Sequence, residues 1–319
     1  MLTDSSSRKV LTAGGYHLRQ VAKMVVNYRG QRHSVLRHEL FYLLARMSPA
    51  LAVDSDGVRY YVSTKDRGLS RTVFGNGSYE QDVMSHTIAL LERHVHRSPL
   101  LDGRIFLDIG ANIGTSTIPA LKTFRAARAV SVEPDTENYK FLRCNVIAND
   151  LEDRVQTLQA ALSDRSGTGT LERAEGSWGD HRVRMSTGSP EGAFGESSRP
   201  TVAVSLLRFD DMVRDLSIDL SLVGLVWMDV QGHEGHVLAG ATSLLASEVP
   251  VAMEYWPYGL RRAGGLTMLH NLIATNYRRV VDIRASMAGS PTADLAAADV
   301  AKLAARYGGE TYTDLLLLK

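Results

Sequence analysis

Cysteine is almost absent: Cys144 is the single one in 319 residues. That excludes an internal disulfide and any zinc site built on several thiolates, and it suits a reducing compartment. Long apolar runs are missing too. Crossing a bilayer takes ~20 such residues, and the nearest stretch, residues 40–53, is shorter and interrupted by Arg46 and Pro49. No cleavable apolar segment follows Arg8 and Lys9, so the N-terminus does not read as a signal peptide, and a cytoplasmic location is expected. A surplus of either charge is also lacking, since 36 Lys and Arg stand against 35 Asp and Glu. Nucleic acid therefore has no global electrostatic attraction to this chain. What remains, 44% hydrophobic and 22% charged residues, is the composition of a globular protein with a substantial core.

Along the chain, residues 1–15 are rich in Ser and Gly and are expected to be disordered. Residues 16–48 carry helical spacing, with Leu18, Val21, Ala22, Val25 and Val26 and then Leu36, Leu40, Leu43 and Leu44. Residues 50–53 and 58–62 flank Asp54, Ser55, Asp56 and Gly57, a hairpin signal. Residues 75–79 read as a turn and 80–96 as an amphipathic helix. Strands are expected at 105–109, 128–133, 155–162, 201–207, 222–230 and 249–255, alternating with helices at 115–124, 136–148, 209–216, 234–245 and 267–275. Residues 280–283 and 313–318 should pair antiparallel at one sheet edge. Residues 163–200, with seven glycines and seven serines, read as a long loop. The alternation predicts a doubly wound, mostly parallel α/β sheet of seven strands, over residues 66–319, with an N-terminal helical and hairpin extension over residues 1–65.

Residues 104–121 organise the rest. A buried strand ends in Asp108 and Ile109, a tight turn holds Gly110, Asn112 and Gly114, and a helix starts at Thr115. Ligands of such sheets bind beyond the carboxyl ends of the strands, where strand order reverses. Glu133 ends the next strand, at the offset where an acid accepts hydrogen bonds from ribose hydroxyls. Asp229 ends a later one. The G-x-G-x-x-G fingerprint and the P-loop are both absent. An acid just before the loop repels a pyrophosphate but suits a cation. Charge logic therefore favours S-adenosylmethionine over a nicotinamide dinucleotide, and methyl transfer over hydride transfer. An NAD-dependent oxidoreductase on a similar sheet and a non-catalytic cofactor-binding relative are the alternatives.

Five ordered blocks resemble the FkbM-type methyltransferases, within the class I S-adenosylmethionine-dependent fold. They are residues 107–114, residues 132–134, Asn145, residues 229–234, and Gly240 with Ala241. The resemblance implies methylation of a hydroxyl on a small molecule, secondary metabolite or sugar. It places Asp108, Gly110, Asn112, Gly114 and Thr115 at the methionine end of the cofactor, with Glu80 and Asp229. Glu133 and Pro134 fall to the ribose and Ala161 to the adenine. Relatives often carry Lys where Met228 stands and Glu where Gln231 stands. A hydroxyl acceptor benefits from a base with a near-neutral pKa. His181 with Asp180 is the first choice, followed by His233 and Asp229, while Trp178, Trp256 and Tyr258 are candidate acceptor walls. Asp229, Glu234 and Glu254 offer the hard oxygens that Mg²⁺ prefers, but their spacing is not that of a metal site and no metal is expected. Expected partners are thus a small-molecule or glycoside acceptor, with no nucleic acid and no membrane span; a homo-oligomer is compatible with this reading.

Overall fold

A computed structural model describes residues 32–185 and 192–319. The expected disorder of residues 1–15 and the helical spacing of residues 18–26 lie outside the described residues. A helix, Arg32–Leu44, precedes the hairpin of β1 (Ala50–Ser55) and β2 (Val58–Ser63), which pair antiparallel across the Asp56–Gly57 turn. Two helices follow, Leu69–Asn76 and Gln81–Val95. The first runs into the expected turn and stops only at Gly77, whose φ of 82° no β-carbon residue readily adopts.

The main sheet has eight strands, not seven. In chain order they are β3 (Ile105–Ile109), β4 (Arg128–Val132), β5 (Val155–Leu158), β10 (Val223–Met228), β11 (Val251–Tyr255), β12 (Arg279–Asp282), β13 (Asp294–Ala296) and β14 (Thr313–Leu318). Their spatial order is β13-β12-β14-β11-β10-β3-β4-β5. The five from β11 to β5 are parallel, and β14, β12 and β13 are antiparallel. The additional strand is β13, three half-exposed residues that carry no apolar run to announce them. Nor is β14 an edge: all six of its residues are buried, because β11 and β12 flank it. The parallel centre is buried on both faces, most completely in β10, where all six residues are apolar or glycine and covered. Strand order reverses between β3 and β10. The turn after β3 opens there.

A second sheet corrects two expectations. The strand foreseen over residues 155–162 is broken after Leu158, and its end becomes β6 (Ala161–Ser163). The supposed loop of residues 163–200 contains β7 (Gly167–Glu172) and β8 (Arg182–Arg184), which join β9 (Thr201–Arg208) in the order β6-β9-β7-β8. Gly and Ser disfavour strands in isolation, yet β7 matches β9 over six residue pairs. At Gly169 a β-carbon would lie 2.8 Å from Leu206, so the glycine is there for closeness and not for looseness. The helix expected over residues 234–245 is likewise divided, into Glu234–Ala239 and Thr242–Leu245. Gly240 lies between, where a β-carbon would meet the Ser163 carbonyl oxygen at 2.1 Å.

The hairpin is fastened to helix Thr136–Ala148 by two amides that imitate a neighbouring strand. Asn145 accepts from Tyr61 N at 2.6 Å and donates to Tyr61 O at 3.1 Å. Asn149 makes the same pair with Arg59, at 3.0 and 2.6 Å. Asn145 also donates to Ile113 O at 2.9 Å, so one side chain ties the hairpin, the helix and the glycine turn together.

Candidate functional site

At the switch point lies a cavity of about 530 Å³, in the range of small-molecule sites. Its floor is the turn after β3. Gly110 has φ 89°, and a β-carbon there would sit 1.8 Å from the Asp229 carbonyl oxygen. The N–H groups of Gly110 and Ala111 both donate to Val132 O at 2.9 Å, which fixes the turn against β4. Asn112 is left-handed, with φ 50°, and its N–H donates to Glu133 Oε2 at 3.0 Å. The other Glu133 oxygen accepts from Asp135 N at 2.8 Å. Burial raises the Glu133 carboxyl to about 8, against the lowering effect of those N–H groups.

Of the residues singled out in the sequence for cofactor binding, Gly110, Asn112, Thr115, Glu133, Pro134 and Ala161 line the cavity. Asp108 and Gly114 do not. The pleat of β3 turns Asp108 toward the covering helix Thr117–Lys122, where Thr117 Oγ1 donates to its Oδ2 at 2.5 Å. Its other oxygen is buried without a partner, and burial raises the group to about 7. Asp108 is a foundation beneath the turn and not part of the wall. Gly114 faces Leu142, with φ 93°.

One end of the cavity is acidic. Glu80, Asp229 and Glu254 line it, and Asp314 stands behind. The Gln231 amide bridges two of them, donating to Asp229 Oδ1 at 2.7 Å and to Glu254 Oε2 at 3.1 Å. Burial lifts Asp229 to about 6 and Asp314 to about 7, and carries Glu254 well up, with the neighbouring carboxylates adding to each. Arg284 is the guanidinium of this group, 2.6 Å from Glu80 Oε1 and 2.6 Å from Asp314 Oδ2. Three wall residues other than glycine hold positive φ: Glu80 at 48°, Asn112 at 50° and Gln231 at 54°. Such backbone costs of order 1 kcal/mol each and collects at functional sites.

The histidines are rearranged relative to expectation. Asp180 and His181 both line the cavity but form no acid–base dyad. Asp180 is taken by two guanidiniums, Arg182 at 2.5 Å and Arg199 at 2.6 Å. His181 Nδ1 accepts from Ala174 N at 3.0 Å, so the neutral ring carries its proton on Nε2, which lies 3.9 Å from Asp135 Oδ2. Burial lowers its pKa and keeps the ring neutral. In that tautomer the Nε2 donor of His181 is buried without a hydrogen-bond partner, and the ring's lone pair is occupied. His233 also reaches the wall; its Nε2 is 3.0 Å from Ser163 Oγ, its ring stacks on His236 at 4.7 Å, and burial lowers it to about 3. His236 donates to Ala263 O at 2.9 Å and does not line the cavity.

Trp178 and Trp256 line the cavity, whereas Tyr258 turns its hydroxyl to Glu196 at 2.9 Å. The Trp178 carbonyl accepts from Asn112 and Asn138 at 3.3 and 3.0 Å, which joins the second sheet to the glycine turn. Sequence reasoning missed Asn138, the Arg67–Thr72 stretch and Tyr312, whose places depend on long-range packing and have no local signal. Glu234 accepts from the N–H groups of Val230 and Gly232 at 3.2 and 3.3 Å and stays off the wall. Among the described residues, no three His, Cys, Asp or Glu gather as a metal-holding group.

A sequence profile of the methyltransferase FkbM domain matches residues 108–260. The 2-O-methyltransferase NoeI of Sinorhizobium fredii is 29% identical over 158 residues, 47% of this chain and 63% of that protein. This chain therefore spans less than two thirds of the length of its curated relative. A methyltransferase FkbM from Methylobacillus flagellatus is similar over 89% of this chain and 59% of that one, at 14% identity and a TM-score of 0.40. TYW2 of P. horikoshii, solved in complex with MeSAdo, is similar over 85% of this chain and 72% of that one, at 15% identity and a TM-score of 0.40. No helix among the described residues is long and apolar enough to cross a membrane.

Proposed function

We propose that this chain is an S-adenosylmethionine-dependent O-methyltransferase acting on a hydroxyl of a small molecule or glycoside. One observation carries the reading: a glycine turn braced by Glu133 opens into the same cavity as the acidic wall of Glu80, Asp229 and Glu254. Buried carboxylates that outnumber their cations favour a positively charged ligand. S-adenosylmethionine carries a sulfonium and an ammonium, and a nicotinamide dinucleotide would bring a pyrophosphate to that wall instead. The residues fit the cofactor in kind: carboxylates for the cationic end, Glu133 for hydroxyls, and an apolar stretch of Ala160, Ala161 and Leu162 for a flat ring.

When bound, the cofactor supplies an electrophilic methyl group, and the chain's own work is to position, to exclude water and to take a proton. Asn112 and Gln231, held left-handed, fix the turn and the acid pair. Trp178 and Trp256 supply apolar wall for the acceptor. Asp229, raised to about 6, is better matched than His181 to accept a hydroxyl proton at neutral pH. The 2-O-methyltransferase name of the NoeI relative supports oxygen as the acceptor atom.

Calorimetric titration of the whole chain with S-adenosylmethionine and, separately, with NAD tests the reading. Micromolar binding of the first and none of the second is expected. NAD binding alone would overturn it, and so would wild-type affinity in both Glu133→Ala and Asp229→Asn.

A further inference from the structure

Arg284 does not line the cavity, yet it touches the acidic wall from behind. It belongs to the short helix Ile283–Met287, whose N-cap Asp282 accepts from Ala285 N at 3.1 Å. Asp282 is itself held by the hydroxyls of Tyr307 and Thr313, at 2.5 and 2.6 Å, so the base from which Arg284 projects is rigid. The guanidinium donates to Glu80 Oε1 at 2.6 Å, lies 2.6 Å from Asp314 Oδ2, and sits 4.7 Å from the centre of the Tyr312 ring. The helix Gln81–Val95 sets His86 against the same short helix, its Nε2 3.0 Å from Ser286 Oγ, and the other groups around Arg284 are acids and phenols. Glu80 and Tyr79 come from the start of the helix Gln81–Val95, Asp229 with Gln231 from the end of β10, Glu254 from β11, and Asp314 with Tyr312 from β14. Glu80 and Asp314 thus pair with the guanidinium directly, Asp229 feels its charge, and Glu254 lies among these three carboxylates; Glu80, Asp229 and Glu254 line the cavity.

We propose, resting on the cofactor reading above, that Arg284 is the positioning residue that gives the cavity its preference for a cationic cofactor. Two effects of opposite sign meet here. The guanidinium repels a cation, but it also fixes Glu80 on the wall and favours the ionised forms of Asp229 and Asp314. Buried carboxylates 3–6 Å apart without a counter-charge take up protons instead of sharing negative charge. Losing Arg284 therefore shifts Asp229 and Asp314 toward their protonated forms near neutral pH, and it frees Glu80 to swing away. The second effect wins until the solution is alkaline enough to ionise the bare cluster.

The test is binding, so it needs no acceptor. Dissociation constants are measured for S-adenosylmethionine and for 5′-methylthioadenosine, which keeps the adenine, ribose and sulfur but has no charge. In Arg284→Met the S-adenosylmethionine affinity should fall about tenfold at neutral pH, the scale of one charged hydrogen bond, while methylthioadenosine binds as to wild type. Arg284→Lys should restore most of the loss. In a Glu80→Gln background, Arg284→Met should cost much less than in wild type. Raising the pH to about 9 should narrow the gap between Arg284→Met and wild type, because the remaining carboxylates then ionise. Equal losses for both ligands, or unchanged or tighter S-adenosylmethionine binding in Arg284→Met at neutral pH, would overturn the inference. Failure of wild type to bind S-adenosylmethionine would instead overturn the cofactor reading, and this inference with it.

Discussion

At the scale of single residues, the site depends on which atoms are already engaged. His181 has the residue type and the place of a general base, but its one lone pair accepts from Ala174 N. Nitrogen-15 spectra of the imidazole should therefore show Nε2 protonated and Nδ1 bare at neutral pH, and the opposite tautomer would return His181 to the catalytic role. Glu133 braces the turn with one oxygen and holds Asp135 N with the other, so Glu133→Ala should weaken S-adenosylmethionine at least about tenfold, read by calorimetry. Gly110→Ala would force a side chain into the Asp229 carbonyl. A loss of at least about 3 kcal/mol is expected in urea unfolding.

At the scale of elements, the sequence was most legible where hydrophobic period and turn chemistry agreed. The β1–β2 hairpin, the strands β3, β4, β10 and β11, and the helix Thr136–Ala148 fall within a few residues of expectation. The turn after β3 was readable because its glycines and the acids at the strand ends are local signals. The second sheet was not, because β7 and β8 are weak strands by composition: β7 acquires its pairing from β9, some thirty residues further on, and β8 only from β7. For the same reason the wall residues Asn138 and Tyr312 had no signature of their own. The side chain of Asp108 was misdirected because an acid at a strand end suggests a ligand, while the pleat of β3 sends this one under the helix Thr117–Lys122.

At the scale of the molecule, buried ionisable groups shape stability against pH. Glu133 and Glu234 are raised to about 8, and Asp108 and Asp314 to about 7, chiefly by burial. A carboxyl raised on folding contributes stability that is full below its unfolded pKa and is lost as pH climbs through the folded value. His233, lowered to about 3 by burial, works on the other side: its contribution is present above the unfolded histidine value and is lost as pH falls toward the folded one. Between about pH 4.5 and 6.5 the four raised carboxyls outweigh the one lowered histidine, so thermal unfolding should show a maximum near about pH 4.5, with the midpoint falling from there to about pH 8.5. A flat or rising profile on the alkaline side would contradict these assignments. A cationic ligand should raise the midpoint more at pH 8.5 than at about pH 6, since it stabilises the ionised wall.

The place of β14 has a consequence for how this protein is made. β12 and β13 precede it in the chain, yet β12 meets the rest of the main sheet only through β14, which lies between it and β11. On a ribosome, β12 and β13 emerge with no strand to dock on, and the pairing surface of β11 stays uncovered until residues 313–318 are out. Folding of the sheet is thus gated by its last-made strand, and in the interval β11 is an open edge of the kind that recruits other chains. Stalling or early termination ahead of β14 should yield a nascent species that seeks chaperones, well before any loss of the candidate site is noticed.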